Sequence, residues 1–206
     1  MTKSILAHQI LGIIEGGDVS NDASVTIQEV ILAVNQVRDF LVQEDIWARK
    51  NVGDNQIPGE YLEDYCVDIQ CDDKTNSFYA ELPVKPLNLQ RNQGVFKVTY
   101  TKNQEVAFVP SSSSSSSLYT GLPSFKPQGR QTYYVQGDRL YFPSIKKGDD
   151  LQEIYVVLVA STADIGDEDP LPIPADKEII VVQRVVEMYR QQKLTPQDNV
   201  NDNVDA

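Results

Sequence analysis

The sequence predicts an α+β fold, with N- and C-terminal helices packed together and an inserted, mainly antiparallel β-sheet region between them. Three observations predict it. Apolar residues recur at helical spacing up to about Lys50 and again after Pro174, they alternate with period 2 across the middle of the chain, and turn formers separate the alternating stretches. The composition is that of a folded chain: of 206 residues, 41% are hydrophobic and 23% charged, and ten Tyr and six Phe supply large side chains for burial.

Ile5, Leu6, Ile10, Leu11, Ile13 and Ile14 give a first helix a broad apolar face, and Gly16-Gly17 stops it. Thr26 and Glu29 form a capping-box signature for a second helix. Ile27, Val30, Ile31, Val34, Val37 and Leu41 follow at helical spacing, with Arg38, Asp39, Gln43 and Glu44 mostly on the other side. The helix is expected to end near Arg49 or Lys50, whose charge suits a helix C-terminus, and Trp47 is expected to pack at that end.

From Tyr61 the period changes to 2. Tyr65, Val67 and Ile69 alternate with Cys66, Asp68 and Gln70, while Phe78, Ala80 and Leu82 alternate with Tyr79 and Glu81. Asp72, Asp73, Asn76 and Ser77 are turn formers, so a hairpin is expected between these strands. Phe96, Val98 and Tyr100, set against Lys97 and Thr99, continue the pattern. A second hairpin joins Tyr133-Tyr134-Val135 to Leu140-Tyr141-Phe142 through Gln136-Gly137-Asp138-Arg139, where Gly137 is suited to positive φ. Ile154 to Ala160 is an unbroken apolar run and reads as a strand covered on both faces. After an acidic linker, Asp164 to Asp169, a third helix begins with Pro174 near its first turn and carries Ile179, Ile180, Val182, Val185, Val186 and Tyr189. The chain thus divides into a helical part (1–56 and 170–194), an inserted β region (57–169) with a long loop at 110–130, and a disordered acidic tail (195–206).

Charge and motifs exclude several function classes. With 18 Lys and Arg against 30 Asp and Glu, the net charge is −12, the wrong sign for gripping a phosphate backbone. Cys66 and Cys71 sit five apart and are poorly placed to pair, and no zinc spacing occurs. Met1 to Glu15 makes a poor signal peptide, and no run approaches the roughly 18 apolar residues of a membrane-spanning helix. The expectation is a protein made in the cytoplasm, with no membrane, metal or cofactor.

Catalysis finds little support. The one histidine, His8, has no nucleophile motif beside it, and no G-x-S-x-G, P-loop, G-x-G-x-x-G or H-E-x-x-H is present. Asp164-x-Gly166-Asp167-x-Asp169 lacks the ladder and terminal Glu of a calcium loop, so a solvated linker is the expectation there. The remaining candidate is a contact surface. Ser111 to Ser117 is a tether, followed within eight residues by Leu118, Tyr119, Leu122 and Phe125. Four large apolar groups so close together need a surface to bury against, which marks the 110–130 loop as an inter-subunit or inter-ring contact, the alternative being that the four residues fold back on their own sheet.

Several stretches together resemble structural proteins of tailed phages. They are the capped helix carrying Gln36-Val37-Arg38-Asp39, the hairpin from Tyr133 to Pro143, and Leu171-Pro172-Ile173-Pro174-Ala175-Asp176-Lys177-Glu178 leading into an apolar helix. Among these the chain is most similar, over about residues 1 to 194, to the head-to-tail ring proteins of crAss-like phages. The resemblance implies a non-enzymatic virion subunit of a twelve-fold ring beneath the portal protein. The resemblance also implies a channel through which genomic DNA passes without specific binding, and the expectation for this chain is that it binds the portal or a neighbouring tail ring through its helices and strand edges. The alternative from another class is a host-surface or capsid-binding module, such as a tail-fibre adaptor or head decoration protein.

Overall fold

The computed structural model describes residues 1–16, 25–54, 56–72, 77–89, 94–112, 131–146 and 153–194, apart from the side chains of 103 and 192–194. The Gly17 stop signal, most of the 72–77 turn, most of the polyserine run, the apolar residues after it and the acidic tail lie outside these residues. The architecture is α+β, with helices at both ends of the chain and sheets between them.

Local chemistry starts and ends the helices. In α1 (Lys3–Ile14) the Ile5 N–H donates to Thr2 Oγ1 at 3.3 Å, and after the Glu15 C-cap Gly16 takes φ +72°. Its buried face is narrower than its apolar composition suggests: Leu6, Ala7, Ile10 and Leu11 are buried, whereas Ile5 and Ile13 are exposed. In α2 (Ile27–Asn51) the capping box closes reciprocally. The Thr26 N–H donates to Glu29 Oε2 at 2.7 Å and the Glu29 N–H donates to Thr26 Oγ1 at 3.3 Å. The third helix, α3 (Ala175–Leu194), starts after Pro174, whose carbonyl accepts from the Lys177 N–H, and has Asp176 and Glu178 in its first turn.

The described chain falls into two compact units, and α2 contributes to both. The first comprises Met1–Leu41 and the segment from Gly166 onward. In it α1 packs against α3, the Leu171 N–H donates to Met1 O at 2.9 Å, and the Ser4 N–H donates to Asp167 O at 3.0 Å. Val30, Val34 and Val185 are fully buried, as helical spacing predicts; on α3 Val181 is fully buried as well, whereas the expected face residue Ile179 is exposed. Arg38 departs from expectation: it is not on the polar side but 0% exposed. It follows Val34 by four residues, so it shares the apolar arc, and its guanidinium is satisfied there by the Pro172 carbonyl, at 3.2 Å from Nε and 2.7 Å from Nη2.

The second unit, Val42–Ile165, holds two sheets. One has the order β1 (Glu63–Asp68), β9 (Glu153–Leu158), β4 (Val95–Tyr100), β5 (Asn103–Ala107) and is antiparallel throughout. The other runs β2 (Gln70–Asp72), β3 (Ser77–Glu81), β8 (Arg139–Tyr141), β7 (Thr132–Gln136), β6 (Val109–Pro110), with a parallel pair only at β6 and β7. The two sheets share one core, in which Ile69, Phe78, Tyr133, Leu140 and Phe142 meet Val98, Ile154, Val156 and Leu158. Phe108 joins them edge-on, 5.4 Å from Phe142 and 4.9 Å from Tyr100.

Three strand expectations are refined by this topology. The run from Tyr65 to Gln70 divides at buried Ile69 and its halves enter different sheets, as strands do at the corner of a packed pair. A bulge between Val95 and Lys97 takes Phe96 off the Val98 face and leaves it 49% exposed. The strand at Ile154 is central, with Ile154, Val156 and Leu158 fully buried and Tyr155 and Val157 half-buried. The Tyr133–Phe142 hairpin forms with Gln136 opposite Arg139 and Gly137 at φ +66°.

Candidate assembly surface

Several of the described carboxylates hold the chain together. Asp164 Oδ2 accepts from the Lys85 N–H at 2.8 Å, and Asp169 Oδ2 accepts from the Gly166 N–H at 3.2 Å. Asp167 Oδ1 lies 3.9 Å from the buried Lys3 ammonium, so the linker is held at points while Asp164, Asp167, Glu168 and Asp169 stay exposed, as expected of a solvated linker. Burial holds the Lys3 amine below the usual lysine range despite the opposing pull of Asp167, Asp39 and Asp169. Glu63 accepts a short hydrogen bond from the Tyr65 hydroxyl, whose ionisation burial and that carboxylate both push upward. Among the described residues no three His, Cys, Asp or Glu side chains converge for a metal, and no helix is long and apolar enough to cross a membrane. His8 is exposed on α1, and Cys66 and Cys71 lie on strands of different sheets.

The expected contact residues Leu118, Tyr119, Leu122 and Phe125 lie outside the described residues. Their flanks are placed: the Ser111 N–H donates to Tyr133 O at 2.7 Å, and the Val109 N–H donates to Gln131 O at 2.8 Å. Both ends of that segment therefore leave from the β6–β7 edge of the five-stranded sheet.

On the solvent face of the same sheet, three tyrosines stand in a row. The register sets Tyr79 opposite Tyr141 and Tyr141 opposite Tyr134, while their neighbours Phe78, Leu140 and Tyr133 point into the core. Tyr134 and Tyr141 stack with centroids 5.2 Å apart and planes at 10°, and Tyr79 lies 6.1 Å from Tyr141. The Arg139 guanidinium sits 4.9 Å over Tyr79, donates to Tyr141, and pairs with Glu81 at 2.6 Å. A half-buried aromatic row with a neutralised arginine at its rim has the composition of a protein contact surface. Two of the three were legible in sequence, because a tight turn at Gly137-Asp138 forces Tyr134 and Tyr141 together. Tyr79 carried no such signal, since its partner is distant in the chain.

Other exposed apolar groups lie on helices. Phe40 on α2 and Met188 on α3 edge a groove floored by Val37, where the Arg184 guanidinium lies 5.6 Å from the Phe40 ring centroid. Trp47 does not pack at the helix end; it is 59% exposed, because its neighbour Ile46 takes the buried arc of α2.

Sheet edges are poorly suited to partners. β5 pairs regularly only at Asn103 and Ala107, so 104–106 bulge from the ladder, and β1 carries Glu63, Asp64 and Asp68. The edges of the second sheet, β2 and β6, are three and two residues long.

No curated protein matches the chain. A family model described as phage tail ring protein 2, the crAss ring 2 family, matches residues 6–206. Coverage of nearly the whole chain, on a fold whose described surface offers contact features rather than a cleft of convergent reactive groups, identifies the chain as a member of the phage tail ring protein 2 family.

Proposed function

We propose that the chain is a non-enzymatic subunit of a closed ring in the head-to-tail connector of the virion, beneath the portal and around the DNA channel. The observation that carries this reading is the ring-protein family match over residues 6–206. A ring needs one contact repeated head to tail until it closes, so each copy must offer two different complementary surfaces. Twelve copies, the number implied by resemblance to crAss-like ring proteins, would match the symmetry of a portal above it. Leu118, Tyr119, Leu122 and Phe125 supply one side of the copy-to-copy contact, and portal or neighbouring tail rings are the partners along the axis.

The charge of −12 supports a channel role physically. A wall that attracted phosphates would retard DNA, whereas an acidic wall binds none of it and leaves it free to slide. Mass measurement and imaging of the purified assembly test the reading: a closed ring of twelve 23.1 kDa chains is expected. A monomer or trimer at all concentrations, with and without portal, would favour a host-surface or decoration module instead.

A further inference from the structure

We propose that the Tyr79–Tyr141–Tyr134 row of one subunit receives the Leu118–Phe125 segment of a neighbouring copy. This rests on the ring reading and names the receiving surface for it. Three observations converge.

The edges available for strand addition are bulged, acidic or very short, so copy-to-copy contact on this unit falls to side chains on a face. The tyrosine row is the stacked aromatic surface on the solvent side of the five-stranded sheet, and its one cation is already paired with Glu81. The third observation is charge. In a chain of net charge −12, the twenty residues Val106 to Phe125 contain no charged side chain. Bringing two acidic copies together is opposed by repulsion almost everywhere, and an uncharged apolar segment meeting a neutral aromatic row avoids it.

The dimensions agree. Two strand spacings separate Tyr79 from Tyr134, about 10 Å, and eight extended residues span roughly 26 Å, enough to cross the row. The six residues from Ser113 to Leu118 reach about 20 Å from the sheet edge, enough to leave the donor subunit. Leu118, Tyr119, Leu122 and Phe125 would lie on the tyrosine rings, as apolar and aromatic groups do at the desolvated centre of an interface.

Two variants divide the contact. In one, Tyr134→Ser and Tyr141→Ser remove the row from a solvent face. In the other, Leu118→Ser, Tyr119→Ser, Leu122→Ser and Phe125→Ser remove the donor while keeping chain length. Unchanged circular dichroism and melting establish that each folds. A synthetic peptide of residues 111–128 is expected to bind the donor-less variant and to bind at least about tenfold more weakly when the row is also replaced. Neither variant alone should form rings, and mixing them should give a two-chain complex that grows no further, because one intact contact remains.

Failure of the peptide to bind, or rings of normal size from the row variant, overturns the inference and leaves the ring reading standing. Absence of any two-chain complex on mixing, with the peptide still binding, places the segment on its own sheet and overturns docking between copies. A wild-type chain that never assembles defeats the ring reading itself.

Discussion

Arg38 shows how a residue's place in a pattern can outrank its chemistry. It is fully buried, and its hydrogen bonds to Pro172 O and to Asp39 Oδ1, the latter at 3.0 Å, tie α2 to the segment before α3. Its charge put it among polar residues although its spacing from Val34 sets it on the apolar arc; only the fold brings the Pro172 carbonyl within reach, across more than a hundred residues. Arg38→Met is expected to lower stability by about 2 to 4 kcal/mol, since it strands the Pro172 carbonyl and removes the ion pair with Asp39. Urea unfolding that shifts by less than about 0.5 kcal/mol would show the tie to be dispensable. A second residue-scale prediction concerns Tyr133, whose burial pushes its phenol up to about 12. The unfolded chain releases that proton near pH 10 while the folded chain holds it, so stability is full below pH 10 and falls between about 10 and 12. Tyr133→Phe should flatten that fall. A denaturation midpoint that drops equally steeply in both proteins over this window would assign the loss to other groups. Lys3 acts in the opposite sense: its amine is depressed by burial, so the folded chain sheds its proton first and gains relative stability as pH rises toward 10.5.

At the scale of elements, what could be read was what is local. The Thr26–Glu29 box, the Gly137 turn and the start of α3 after Pro174 each depend on residues within one turn of one another, and each forms. The bulge at Phe96 and the division at Ile69 were not legible, because both arise from fitting strands to partners elsewhere in the sheets. The capping box also gives a pH-dependent test. Hydrogen bonds from the Thr26 amide and hydroxyl hold the Glu29 carboxyl below its ordinary range. That contribution is present above the unfolded value near 4.5 and is lost as pH falls through the lower folded value. Thr26→Ala should therefore lower the melting temperature by a few degrees at pH 7 and by less at pH 3. An equal deficit at both values would mean that Thr26 acts only by accepting from the Glu29 N–H.

The whole molecule poses a problem that no single element shows, since a ring must assemble from copies that each carry −12. Sequence revealed the charge and the uncharged stretch that escapes it, but the tyrosine row opposite required the pairing of Tyr79 with Tyr141, which only the sheet order supplies. Like-charged subunits repel over roughly the Debye length, about 10 Å at 0.1 M salt and 30 Å at 0.01 M, whereas aromatic and apolar contacts do not weaken with screening. The two possible sources of cohesion therefore predict opposite responses. If copies are joined by apolar contact against a background of repulsion, raising sodium chloride from about 10 mM to 300 mM should increase the assembled fraction at fixed protein concentration. If they are joined by ion pairs, the same change should dissolve the ring. Light scattering across that range distinguishes them, and the expected outcome is growth of the ring with salt. Assembly that falls steadily as salt rises would show that charged pairs, and not the uncharged segment and the tyrosine row, hold the subunits together.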